Sequence, residues 1–170
     1  MMGTGNSSRR LFSVALALLA LLGSSATAMK KERAAEFELE DQFGKRVTCR
    51  FPKNRPSILA FGDREGAQQI EGWIRPIYER FGPSVDIHGI AVLREVPALF
   101  RGFARSQFRR RIKYPVLLDF EGDVTERYGY AAGKANVIIV DRNGEILLKE
   151  TGPATPEKLQ RIYRALESLL

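Results

Sequence analysis

A single cysteine, Cys49, and a single histidine, His88, occur in the 170 residues of this chain. One cysteine forbids an intramolecular disulfide and any multi-cysteine metal cluster. One histidine removes the zinc motifs that need two imidazoles at helical spacing. Long apolar runs are missing as well. The longest, residues 11–22, has 12 positions, against the roughly 20 needed to cross a ~30 Å hydrocarbon core. The composition is neither collagen-like nor disordered, since 44% of the residues are hydrophobic and 28% charged. No metal and no cofactor is expected from this inventory.

The apolar run has a different meaning. Arg9 and Arg10 precede it, and Gly23-Ser24-Ser25 and Ala26-Thr27-Ala28 follow it. A basic segment, a short apolar core and a small-residue A-x-A site make a signal peptide. Cleavage after Ala28 and export, to a bacterial periplasm, are therefore expected. Ser8-Arg9-Arg10-Leu11-Phe12 resembles the twin-arginine export signal, and the general secretory route fits the same residues, so the route stays open. No cysteine stands at the cleavage site, which excludes a lipoprotein anchor. Residues 29–170 then form one domain with no transmembrane helix. It carries 25 basic against 20 acidic side chains, the 27 of the whole chain less Arg9 and Arg10. Six of the cations fall between Arg101 and Lys113, a stretch with no acid. The positive charge is thus local.

Alternation and turn residues predict a β-hairpin through Phe37, Leu39, Val47, Cys49 and Phe51, turned at residues 41–45. Residues 57–61 read as a buried strand, 67–81 as a helix with Ile70, Trp73, Ile74 and Ile77 on one stripe, and 85–93 as a second strand. Val96, Leu99, Phe100 and Phe103 follow helical spacing and predict a helix buried on that side. A brief strand at 116–118 precedes a short helix capped by Asp123. Asn143-Gly144 sits between strands at 137–140 and 146–148, a hairpin signal because both residues tolerate positive φ. Thr155 caps a last helix with Pro156 at its first position and Leu159, Ile162, Tyr163, Leu166 and Leu169 inward. Strands alternating with helices before a terminal hairpin give an α/β sandwich with a mixed sheet.

This order resembles the thioredoxin-like fold of peroxiredoxins and exported thiol-disulfide reductases. Residues 37–45, Pro76 to Phe81, Tyr114 to Asp119 and Ile138 to Gly144 look like that superfamily's opening hairpin, kinked first helix, later strand and final hairpin. The resemblance implies a three-layer sandwich, a mixed sheet flanked by helices, with an N-terminal hairpin. It also implies a cysteine at the start of the first helix, where the helix dipole lowers its pKa. Gly66 stands at that position. A second cysteine would fall at Gln69 or Ile70, and the cis-proline that such domains place near the sulfur would fall at Ala135. The redox residues are missing from all of these positions.

Other residues offer less. Cys49 shares the core-facing register of Val47 and Phe51, and burial raises a thiol pKa, so an inert thiol is expected. His88 lies beside Asp86 on one strand face with no nucleophile near, and reads as an ordinary strand histidine. Asp119, Glu121 and Asp123 are better explained by a turn and a cap than by a calcium loop. Asp63, Arg64 and Glu65 precede the first helix and are a candidate binding loop. Arg101, Arg105 and Arg109 line one helical face, and Arg110, Arg111 and Lys113 extend the charge. This segment is a candidate surface for an acidic envelope protein or an anionic membrane, against the other reading, a solvated face with ion pairs to acids elsewhere in the chain; nucleic acid does not suit an exported chain. The expected function is an exported thioredoxin-like domain without thiol redox chemistry, serving as a binding or accessory module. The alternative is a thiol-disulfide oxidoreductase or peroxiredoxin-type antioxidant enzyme.

Overall fold

A computed structural model describes residues 31–170. The signal-peptide expectation, on Arg9, Arg10 and Ala26 to Ala28, lies outside those residues. The described chain begins with a hairpin, β1 (Phe37–Glu40) and β2 (Arg46–Cys49), with Phe37 opposite Cys49. Asp41 turns it: one carboxylate oxygen accepts the N–H of Phe43 at 2.8 Å and of Lys45 at 2.9 Å. Gly44 follows at φ 85°, a left-handed conformation open to a residue without Cβ.

β3 (Ser57–Gly62) is buried along its whole length, because strands flank it on both sides and both of its faces are covered. It leads into α1 (Ala67–Phe81), and β4 (Asp86–Val92) then runs parallel to β3. A single 3-10 turn opens α2 (Arg101–Arg111), followed by β5 (Leu117–Asp119), parallel to β4, and the short α3 (Asp123–Arg127). β6 (Asn136–Val140) pairs antiparallel with β3, and β7 (Ile146–Thr151) pairs antiparallel with β6. The final helix is α4 (Pro156–Glu167), where the Thr155 hydroxyl accepts the N–H of Lys158. The sheet order is β5-β4-β3-β6-β7.

The period of two along each strand separates two cores. Ile58, Ala60, Val137 and Ile139 face Trp73 and Ile77 of α1 and Ile162 and Leu166 of α4. Leu59, Phe61, Ile138 and Val140 face Phe37 and Cys49 of the hairpin, with Val124 and Tyr128. Each fully buried Leu or Ile contributes about 1.5–3 kcal/mol by leaving water. The indole N–H of buried Trp73 donates to the carbonyl of Gly152 at 2.8 Å, which satisfies its one polar atom. Both cores are built from residues 31–170, which form one unit with its own interior.

Two expectations need correction. Asp123 is the first residue of α3 and not its cap. The capping group is the buried Asp119 carboxylate, which accepts from the N–H groups of Gly122 and Thr125 at 2.9 and 2.8 Å. The second correction is larger: α2 is turned the other way. Leu99, Phe100 and Phe103 are 87%, 55% and 63% exposed, and the arginine side faces the protein. Phe108 and Ile112 pack the helix on Ala91, Val116 and Leu118 instead.

Candidate functional site

Pairing brings several loops to one end of the sheet. Gly62 ends β3 opposite Ala91 of β4, Val92 lies opposite Asp119, and β6 begins there with Asn136 opposite Phe61. In α/β sheets, ligands bind beyond the carboxyl ends of the parallel strands. The loop before α1 and the loop before β6 meet at this end.

Their meeting is close. Gly66 is buried at the start of α1 with helical φ and ψ, so glycine is required there by space and not by conformation. A Cβ on Gly66 would stand 3.0 Å from the amide nitrogen of Ala135 and 2.6 Å from the carbonyl carbon of Lys134, with the Lys134 oxygen nearer still. No ordinary side chain enters such a space. Gln69, one turn on, reinforces the closure: its amide oxygen accepts the N–H of Ala135 at 3.1 Å, and its amide nitrogen donates to the carbonyl of Gly133 at 3.4 Å. Buried Asn136 holds the same loop from the sheet side, donating to the carbonyls of Ala131 and Lys134 at 3.0 Å each. Ile70 turns away and packs against the core beneath α1.

Asp63 completes the arrangement. Its carboxylate accepts the N–H groups of Glu65, Gly66 and Gly133 at 3.0, 2.8 and 2.7 Å, while its own N–H donates to the Tyr130 hydroxyl at 2.8 Å. Partial burial opposes its charge, but the N–H groups of Gly66 and Gly133, with Tyr130 and Glu65, outweigh that and hold the carboxyl below its ordinary value. Burial, with Asp63 beside it, pushes the Tyr130 phenol up to about 12. The donors that would greet an anion at this helix start are therefore taken by the chain itself. Arg64 and Glu65 are exposed beside it.

Cys49 lies elsewhere, fully buried in the hairpin's core, on the opposite side of the sheet from α1. Burial pushes its thiol up, against a smaller opposing pull from Lys53. The Lys53 ammonium sits between Asp86 and His88, 3.0 Å from the carboxylate and 3.2 Å from the imidazole. Burial first and this cation second lower His88 to about 4, which leaves it neutral at ordinary pH. Among the described residues no cluster of His, Cys, Asp and Glu has the arrangement to hold a metal.

The arginine segment divides in two. Arg101 pairs with Glu121. Arg105 donates to the Asp41 carbonyl at 2.6 Å and pairs with Glu40 at 3.1 Å. Arg109 donates to the Gln42 carbonyl at 3.1 Å. These three fasten α2 to the hairpin turn and to the loop after β5, and so are not a free binding surface. Arg101 and Arg105 border an open cleft of about 530 Å³ whose walls also carry Glu38, Glu40, Glu121 and Asp123, a mixed-charge lining. Arg110, Arg111 and Lys113 point to solvent. The sequence reading missed Gly133, Lys134 and Tyr130, which no motif marks, and the outward position of Leu99, Phe100 and Phe103. The spacing of Arg101, Arg105 and Arg109 by four residues along one helical face was the trace of that orientation in the sequence.

A five-stranded mixed sheet, two helices packed on one face and an entry hairpin on the other make this a thioredoxin-like fold. Among solved structures, the chain is similar to one assigned as thiol:disulfide interchange protein DsbE from Chlorobium tepidum, with a TM-score of 0.64 at 19% identity over 83% of this chain and 98% of that one. It is also similar to the pneumococcal exposed lipoprotein thioredoxin Etrx1 of Streptococcus pneumoniae, TM-score 0.60, 20% identity, covering 79% and 100%. Peroxidoxin BcpB of Mycobacterium tuberculosis matches at TM-score 0.56 and 20% identity, covering 82% and 94%. No protein-family model matches the sequence, and no curated protein matches it.

Proposed function

We propose that this chain is an exported thioredoxin-fold domain that acts by binding, as an accessory module, and has no thiol redox chemistry. The observation that carries this reading is the contact of the Lys134–Ala135 backbone with Gly66. The place where a nucleophilic side chain would project from the helix start is filled by main chain. A thiolate needs both a sulfur and an approach path, and the one cysteine is sealed in the core across the sheet. A fold does not carry its function without the site. Export rests on Arg9-Arg10, the apolar run and Ala26-Thr27-Ala28, and one of the similar solved structures is an exposed lipoprotein. The names of the similar structures favour the competing reading, a thiol-disulfide oxidoreductase or peroxiredoxin-type enzyme.

Insulin reduction and peroxide turnover by the purified protein separate the two. The expected result is no turnover above a thiol-free control. Turnover that Cys49→Ser abolishes would overturn the proposal. N-terminal sequencing of the envelope protein is expected to begin at Met29, and retention of Met1 or Met2 counts against cleavage.

A further inference from the structure

The outward side of α2 and of the 3-10 turn that opens it, Ala98–Phe100, combines two features that a soluble surface normally keeps apart. Leu99, Phe100 and Phe103 form one apolar stripe and are more than half exposed. Nothing about the helix itself forces them outward. They are held there because Arg101, Arg105 and Arg109 bind the hairpin turn and Glu121 on the opposite side. Beyond the stripe, Arg110, Arg111 and Lys113 are exposed and make no salt bridge among the described residues. The chain has no acidic residue between positions 96 and 118.

We propose that this face docks on an anionic phospholipid surface. The apolar stripe enters the boundary between headgroups and acyl chains, and the three cations lie over lipid phosphates. Exposed Leu and Phe beside unpaired Arg and Lys supply the two contributions, buried apolar area and attraction to anionic lipid, that hold a segment at a membrane interface. Within residues 95–118 a second copy of this chain offers these three cations a single acid, Glu95, whereas an anionic lipid surface offers each of them a phosphate. Shape argues against an inserted peptide: the cleft bordering α2 lies on its arginine side and includes none of Leu99, Phe100 and Phe103. This inference names the partner of the binding role proposed above. It rests on that role and not on the absence of thiol chemistry.

The test uses residues 31–170, which hold both cores, with Phe103→Trp as a fluorescent reporter. Vesicles of phosphatidylglycerol with phosphatidylcholine are compared with phosphatidylcholine alone, by flotation and by emission. Binding and a blue shift are expected on the anionic vesicles only, weakening with added salt as screening sets in. Arg110→Gln, Arg111→Gln and Lys113→Gln together should lower the partition by about 100-fold, at roughly fivefold per cation. Leu99→Ser with Phe100→Ser should lower it to a similar degree. All five sites are exposed, so far-UV circular dichroism and melting temperature should stay unchanged, which separates lost docking from lost folding. No flotation on anionic vesicles, or variants that bind as well as the parent, would overturn the proposal. So would capture of a soluble acidic protein through these residues by a domain that ignores vesicles. None of these results bears on the insulin and peroxide assays, so the two readings fail separately.

Discussion

Replacing Gly66 with alanine tests the closure at the start of α1, and Gly72 of the same helix supplies the control. A glycine-to-alanine change in a helix ordinarily stabilises by about 0.5–1 kcal/mol, because the unfolded chain loses freedom. At Gly72 nothing opposes that gain: the added Cβ meets only the Ala154 methyl at 3.6 Å, an ordinary contact. At Gly66 the same methyl would stand 2.6 Å from the carbonyl carbon of Lys134 and 3.0 Å from the nitrogen of Ala135. Both obstacles are backbone, and Asp63, Gln69 and Asn136 hold them in place. Relief of such overpacking costs about 1–3 kcal/mol. Gly66→Ala should therefore lose roughly 1–2 kcal/mol net while Gly72→Ala gains, a gap of about 2–3 kcal/mol. For a domain of this size that corresponds to melting temperatures about 8–12 °C apart. Thermal and urea unfolding of both variants measure it. If Gly66→Ala melts at or above the parent, the loop does not close on the helix start, and the argument against a side-chain nucleophile there collapses.

Gln42 is fully buried, and its amide receives the N–H of Val116 and donates to the carbonyls of Ile112 and Tyr114; Gln42→Leu orphans all three and should cost about 3 kcal/mol in urea titration. Arg105→Gln, which removes the bonds to Asp41 and Glu40, should cost about 1–2 kcal/mol, and an unchanged urea midpoint would mean that arginines do not fasten α2. His88 has a folded pKa of about 4 against an ordinary 6.5, so between these values the unfolded chain binds the extra proton. Its contribution is complete above pH 6.5 and is lost as pH falls to 4, by up to about 3 kcal/mol, and His88→Leu should flatten that limb of the stability curve. Cys49, fully buried and with a raised thiol pKa, should react with a disulfide reagent only at the rate of unfolding, and prompt labelling of the native protein would refute its placement.

Much of the fold is visible in short stretches of sequence. Ile70, Trp73, Ile74 and Ile77 announce α1, Thr155 and Pro156 announce the start of α4, and Asp41 with Gly44 and Asp141 with Gly144 announce two turns of like design. In each case the deciding interaction spans only a few residues, so the pattern and its cause lie in the same window. The alternation of Val47, Cys49 and Phe51 told in the same way which side of the hairpin is buried.

The orientation of α2 could not be read in that manner. Its spacing pointed Leu99, Phe100 and Phe103 inward, yet the partners that turned the other side in are Glu40, Asp41 and Gln42, some 64 to 67 positions away. Their carbonyls and carboxylate demand donors, and an arginine can supply them while its apolar stem is covered. That Gly66, Gln69 and Ala135 are neither cysteine nor proline is likewise plain from the sequence, because the identity of a side chain is a local fact. That Lys134 fills the space above Gly66 is not local, since the two are brought together only when β6 pairs with β3 and α1 folds back on the sheet. Sequence by itself determined which elements form and in what order, through turn chemistry and the burial of periodic stripes. Tertiary structure alone decided which face of α2 meets solvent and whether the helix start is open, because both depend on backbone groups that reach their partners only in the assembled fold.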